Sequence, residues 1–290
     1  MKHQHLPDGR SLTELIVPEP ARALGSLLDV PLPDLDAGEQ LPLLWHWVYL
    51  LERPATADLG PDGHPIRGAL PEPPAPGQRR MWAGGRVTQH AGLRAHTPAT
   101  RRTRVLATVE KIGRSGAMTL VTVGHEIVQD GRLALEEEQE IVYRDAAAPR
   151  LSVPSREAAQ DGADLESDAD AELAVRTPTT LLFRFSALTY NAHRIHYDRD
   201  YARDVEGYPG LVVHGPLQVL LMAEAARQQD PIARRGRTFS YRLVAPVFDT
   251  DGLVVSASTA RASSPIRTTV RSGRGYTSAW GDYCPAPSPR

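Results

Sequence analysis

The sequence predicts an α+β protein in which an antiparallel sheet curls around a central helix, and three observations carry that prediction. PLQVLLMAEAARQQ, residues 216–229, is apolar on most faces, so a helix there must be enclosed by other structure. Four strand-like segments follow it, RTFSYRLVAPVF, GLVVSASTA, IRTTVRSG and RGYTSAWGD, separated by Gly, Pro, Asp and Ser. A buried helix followed by antiparallel strands packs by letting the sheet wrap it. Residues 81–145 alternate in long runs and read as a second copy of this unit whose helix is lost or shortened.

In chain order, SLTELI reads as a short helix with Ser11 as N-cap, and LPLLWHWVYLLE as a second with Pro near its start. Residues 54–78 are dense in Pro and Gly, which prevents helix and ladder alike and predicts a long loop of the kind that is often functional. RVLATVEKI and MTLVTVGHEIV then alternate around an RSG turn, and Asp130–Gly131 signals a hairpin into RLALEEEQEIVYRD. The polar stretch 146–174 has little periodicity and reads as a linker. TLLFRFS reads as a strand, RDYARDVEG as a short helix capped by Asp198 and ending at Gly207, and YPGLVVHGP as an extended return to the buried helix, with Pro216 at its first position. At 290 residues the chain has room for about two domains. The expected division is 1–150, a linker 151–175, and 176–290.

A net charge of −2 gives no field that would select nucleic acid or an anionic membrane, and the composition, 41% hydrophobic and 23% charged, is that of a globular protein. The single cysteine, Cys284 in a Pro-rich tail, excludes an intrachain disulfide framework and a Cys-based zinc cluster, and points to a reducing, cytoplasmic setting. Apolar runs around Leu41–Leu51 and Leu217–Ala226 are too short to span a bilayer. No Walker or dinucleotide-binding glycine pattern follows a strand, and WAGGRV at 82–87 lacks the spacing, so no nucleotide cofactor is expected.

Chemistry is concentrated in residues 183–216, FRFSALTYNAHRIHYDRDYARDVEGYPGLVVHGP, where His193, His196 and His214 gather with Tyr190, Asn191, Arg194 and Asp198. The amides near Gly215 fall at the N-terminus of the buried helix, where unpaired N–H groups and the helix dipole favour an oxyanion. A carbonyl polarised there, with His196 one loop away to move a proton, suits addition or elimination of water next to a thioester. His193-x-x-His196 with Asp198 has no established metal-ligand spacing, so neither metal nor cofactor is expected.

From Phe185 to Gln218 the sequence resembles MaoC-like enoyl-thioester hydratases, whose motif runs F-S-x-x-S-G-D-x-N-P-[IL]-H-x-D and later P-G-x-[IV]-x-H-G. Phe185 and Ser186 open the match, Thr189 falls on the Ser, Asn191 on the Asp, His193 on the Asn and Arg194 on the Pro, while Ile195, His196, Asp198, Pro209–Gly210 and His214–Gly215 match in kind. The likeness is closer to the subgroup of mesaconyl-C4-CoA (3-methylfumaryl-CoA) hydratases and hydroxyacyl-thioester dehydratases type 2, which shares LWHWVYLL, LGPDGHP, RRMWAGGRV, GRSGAMTLVTVGHEI and EEQEIVYRD over about residues 40–285. The resemblance implies a double hotdog fold whose second repeat is catalytic, an acyl-thioester substrate on CoA or acyl carrier protein, no metal, and a homodimer. Asn191 departs from the wider motif: an amide orients but carries no proton, which leaves His196 as the proton carrier with His193 as partner.

These readings converge on a hydro-lyase acting on an enoyl- or 3-hydroxyacyl-thioester. His196, Asn191 and His193 are its expected catalytic residues, and Gly215, His214, Arg194 and Tyr190 its oxyanion and substrate-binding residues. A second substrate carboxylate, as in mesaconyl-C4-CoA, would be held by Arg184, Arg194 or Arg199. The alternatives on the same fold are a thioesterase and a non-catalytic acyl-thioester-binding subunit.

Overall fold

The computed structural model describes residues 9–66, 78–113, 116–145, 169–230, 236–259 and 265–285. Its strands are β1 (Arg10–Leu15), β2 (Gln78–Gln89), β3 (Pro98–Gly113), β4 (Gly116–Gln129), β5 (Arg132–Asp145), β6 (Ala169–Val175), β7 (Arg237–Leu243), β8 (Leu253–Ser258), β9 (Ile266–Ser272) and β10 (Thr277–Pro285). They form one sheet in the order β1-β3-β4-β5-β2-β7-β10-β9-β8-β6, every pair antiparallel. Alternation of apolar and polar residues makes β3 and β4 long, and Asp130 and Gly131, both at positive φ, turn β4 back into β5. The halves join where β2 pairs with β7, from Gly84↔Arg242 to Gln89↔Arg237.

Helix α3 (Gly215–Gln228) lies against β7 to β10 and is buried almost all round, from Leu217 to Ala226, as its apolar sequence requires. It starts one residue before Pro216, which takes the second helical position. The first half contains no such helix among its described residues. Its core is filled by α1 (Pro18–Leu28) and by the apolar segment 41–50, and these share one hydrophobic cluster with α3. Trp45, fully buried, donates its indole N–H to Glu224 of α3 at 2.7 Å, a direct tie between the halves.

Three elements differ from the sequence expectation. SLTELI forms β1 and pairs with β3, because six residues are too few to distinguish a helical from a strand period and the free edge of β3 supplies the ladder. LPLLWHWVYLLE contributes only the 3₁₀ turn Trp45–Val48, since Leu44 and Leu50 take positive φ and stop helix propagation on both sides. TLLFRFS lies in helix α2 (Thr179–Leu188), which buries Leu182, Phe185 and Ser186, a helical i, i+3, i+4 set that a short apolar run hides. Within the expected linker 151–175, residues 151–168 lie outside the described residues and Ala169–Val175 is β6, the edge partner of β8. Cys284, expected in a tail, sits in β10 opposite Thr238.

Candidate active site

The polar motif is assembled by three local closures. Helix α2 ends as Tyr190 takes a positive φ and the Asn191 N–H returns to the Ser186 carbonyl at 2.8 Å. The Asn191 side-chain oxygen then accepts the His193 amide at 3.0 Å, an Asx turn that sets the entry to the 3₁₀ turn Arg194–His196. Asp198 caps the following turn by accepting the Tyr201 N–H, and this turn, π-helical over Tyr201–Val205, closes before Gly207. The chain returns through Val212, whose N–H bonds the Ile195 carbonyl, and enters α3.

This path gathers three imidazoles. His196 and His214 lie face to face with centroids 3.7 Å apart, and His193 meets His196 edge-on at 5.3 Å. The Nδ1 of His196 is 2.7 Å from the Val212 carbonyl, which can only accept, so Nδ1 carries the proton and Nε2 is left with its lone pair. His214 is fully enclosed, its Nε2 bonded to Ser186 Oγ at 2.9 Å and its ring against the edge of Phe185. Burial holds His196 down to about pKa 4 against the opposing Val212 bond, and pushes His193 and His214 well below the ordinary imidazole value, with neighbouring histidines adding to it. At neutral pH all three are neutral. The Gly215 amide, next along the chain, makes no hydrogen bond among the described residues and opens α3, with Trp82 and Leu243 packed over its Cα.

Arg194 bonds Asp198 at 2.8 and 3.0 Å, donates to the Pro61 carbonyl at 3.0 Å and stacks on Tyr201, so it works as a clamp. Both Asp198 oxygens are thereby engaged, and the His193, His196, Asp198 ligand set does not assemble. Tyr190 is 53% exposed, Arg184 is exposed, and Arg199 is paired with Asp249.

The residues missed by sequence reasoning come from the first half. The loop around Asp62 docks on the motif: the Arg194 N–H bonds the Asp62 carbonyl at 2.9 Å, and Gly63, at φ +86°, passes so close to the Ala192 carbonyl that no side chain would fit. His64 is thereby laid on His193, ring centroids 3.9 Å apart. Its Nδ1 lies 2.8 Å from Asp62 Oδ2, while its backbone N–H bonds Oδ1. Burial would raise the Asp62 carboxyl, but the bond to His64 and its charge bring it to about 2; burial lowers His64, with Asp62 opposing. Arg80 of β2 is near enough to depress Asp62, His64 and His193 electrostatically, and its own hydrogen-bond partner is the Tyr143 phenol, directly opposite on β5. LGPDGHP and RRMWAGGRV were the available signals, since both were visible as subgroup features inside or beside a long loop.

Comparison with known proteins agrees with this architecture. The family model described as hydroxyacyl-thioester dehydratase type 2 matches residues 44–249. The chain is 47% identical over 230 residues to mesaconyl-C(4)-CoA hydratase of Chloroflexus aurantiacus, covering 79% of each. Among solved structures it is similar to a MaoC-like dehydratase from Phytophthora capsici, with TM-score 0.67, 13% identity and 97% of each chain covered. It is also similar to a Mycobacterium tuberculosis protein described as a double hotdog fold, with TM-score 0.56, 17% identity, and 97% of this chain and 96% of that one covered. The sheet and its central helix are thus a double hotdog.

Proposed function

The chain belongs to the hydroxyacyl-thioester dehydratase type 2 family and is a hydro-lyase of acyl thioesters, and we propose that its substrate is the CoA thioester of an unsaturated diacid, with His196 and Gly215 at the centre of the reaction. The observation that carries this reading is the bare Nε2 of His196, held neutral by burial and aimed by the Val212 bond, one residue beyond the ring stack from the free Gly215 amide. In hydration, His196 Nε2 takes a proton from water as the oxygen bonds C3. The displaced π pair moves onto the thioester oxygen, where the Gly215 N–H and the dipole of α3 stabilise the enolate, and C2 is then protonated. His193 lines the same space, Asn191 holds its backbone, and His214 fixes the His196 ring plane.

The diacid reading is supported by the 47% identical relative, whose name denotes a mesaconyl thioester, and by Arg80. Arg194 and Arg199 are ion-paired with carboxylates of the protein, whereas Arg80 has the Tyr143 phenol as its hydrogen-bond partner and is close enough to interact electrostatically with His64, His193 and Asp62. A guanidinium there suits a carboxylate at the far end of a short acyl group. The proposal includes a cytoplasmic homodimer, supported by the single cysteine and the family resemblance, and gel filtration tests the dimer.

The experiment follows loss of the conjugated enoyl-thioester absorbance with mesaconyl-C4-CoA and crotonyl-CoA. Replacement His196→Ala is expected to lower turnover about 10²–10⁴-fold on both. Arg80→Met should raise KM for mesaconyl-C4-CoA alone. Turnover unchanged in the first variant, or equal KM effects on the two substrates in the second, would overturn the respective assignment.

A further inference from the structure

We propose that Asp62 and His64 form a second acid–base pair, which exchanges the proton at C2 of the acyl group while His196 exchanges the proton of the oxygen at C3. This rests on the reading of His196 given above and extends it to the other half of the reaction.

Water addition needs two proton transfers at neighbouring carbons, and His196 has only one bare nitrogen and only a backbone carbonyl behind its other one. Asn191 cannot help: its amide has no titratable proton, and its oxygen is spent on the His193 N–H. The carboxylate missing from the motif is supplied by the docked loop. Asp62 grips His64 twice, at the backbone N–H (3.0 Å) and at Nδ1 (2.8 Å), so the ring is oriented by a group that also stabilises its protonated form. Because a carboxylate only accepts, Nδ1 bears the proton and Nε2 of His64 is bare, the same tautomer as His196. No hydrogen bond joins that Nε2 to another described residue, and the half-buried ring lies on His193 within the motif.

The proton balance closes within this row. His196 Nε2 takes a proton as the water O–H bond breaks and the O–C3 bond forms. His193, whose ring makes no hydrogen bond to the described residues, lies between the two imidazoles, 5.3 Å from one and 3.9 Å from the other by centroid, with a ligand atom within 4.8 Å of those of both His64 and Asp62. A water within hydrogen-bond reach of both rings carries the proton from His193 to His64 Nε2, where the imidazolium faces the Asp62 carboxylate. His64 then protonates C2 as the enolate pair forms the C2–H bond, and all three rings return to neutral. Dehydration runs the sequence in reverse.

The test is dehydration of a 3-hydroxyacyl-CoA deuterated at C2. Changing His64→Gln should lower turnover about 10²–10⁴-fold and Asp62→Asn about 10-fold or more, and both should raise the isotope effect at C2 because that transfer becomes slower than loss of the hydroxyl. The His196→Ala variant should instead diminish the isotope effect at C2, since departure of the oxygen becomes limiting. Turnover of His64→Gln within threefold of the parent, or slower turnover with the parent's isotope effect, overturns the pair while leaving His196 in place. A C2 isotope effect raised by His196→Ala and not by the His64 and Asp62 changes would reverse the two roles and overturn the proposal. Should His64→Gln fail to fold, Asp62→Asn, which keeps the shape and an acceptor for the His64 N–H, decides by the same measurement.

Discussion

Replacing Gly63 by Ala tests whether the docked loop is part of the working site. A Cβ built there would stand 1.8 Å from the Ala192 carbonyl oxygen and 2.7 Å from its carbon, on a backbone at φ +86°. Contact no closer than about 3.0 Å requires the two backbones to separate by about 1.2 Å, which takes the Arg194 N–H to Asp62 bond from 2.9 Å past the usual limit of about 3.2 Å. The left-handed conformation costs about 1–2 kcal/mol with a side chain, and the lost bond about 0.5–1.5 kcal/mol. A loop that can lift off its partner caps the loss at about 3.5 kcal/mol, less than roughly 10 °C of melting temperature in a chain of this size. The same displacement moves His64 off His193, and about 1 Å at a reacting group is worth about 10²-fold in turnover. The assay pairs thermal unfolding with hydration of an enoyl-CoA. Gly38→Ala is the control, since Gly38 has φ +91° and nothing within 4 Å, so it carries the conformational cost without the clash. Turnover in Gly63→Ala within threefold of Gly38→Ala would refute the argument that the loop positions the chemistry.

Stability should fall on mild acidification. Burial holds His193, His196 and His214 below their unfolded values, so between pH 6.5 and about 4 the unfolded chain binds more protons and stability drops with pH; His196 alone, displaced to about 4, accounts for about 3 kcal/mol across that window. Urea unfolding from pH 7.5 to 4.5 that shows a flat free energy would contradict this. A separate acid window belongs to Glu137, buried in β5 with bonds from Trp47, Gln139 and His46: burial opposes its charge, but His46 and His125 bring it to about 2. Its contribution is complete above the unfolded value near 4.5 and disappears as pH falls toward 2, so Glu137→Gln should unfold at lower urea at pH 7 and lose less than the parent between pH 4.5 and 3. Asn191→Asp keeps the acceptor for the His193 N–H and should retain turnover within about tenfold, whereas Asn191→Ala should lose about 10-fold or more through the Asx turn; equal turnover in the alanine variant and the parent removes Asn191 from the site.

What could be read from the sequence follows how local each signal is. β3, β4 and β5 were legible because long alternation and an Asp-Gly turn leave one solution, and α3 because an all-round apolar helix must be enclosed. β1 and α2 were not, because six or seven residues satisfy both periods; the free edge of β3 and the burial of Leu182 and Phe185 decide them. Among the candidate site residues, His193, His196, His214 and Gly215 lie on one continuous stretch, and their proximity follows from a single loop between α2 and α3. Arg194 comes from the same stretch, and its guanidinium bonds Asp198 one turn on, a pairing that the sequence order alone does not single out. Asp62, His64 and Arg80 are brought in by loop docking and by the β2–β7 seam, which no periodicity reveals.

That division explains why the histidines alone do not make a complete acid–base site. Burial keeps the three imidazoles neutral, with lone pairs available at neutral pH, but it also weakens them as bases, because it removes the means of holding a charge on any of them. Proton transfer in both directions needs one imidazole whose protonated form is stabilised, and the carboxylate bonded to such a ring enters on the first half's loop. The guanidinium that opposes excess positive charge there, Arg80, comes from the strand that also forms the seam with β7. In the proposed mechanism the C-terminal motif therefore provides the bare nitrogen and the helix amide, while the N-terminal half sets where a proton can rest. The two functions are held in register by the β2–β7 ladder, the Trp45–Glu224 bond and the close pass of Gly63 over Ala192. Loosening the last of these contacts should disturb proton traffic before it disturbs the fold, because the ladder and the core cluster remain intact when the loop lifts.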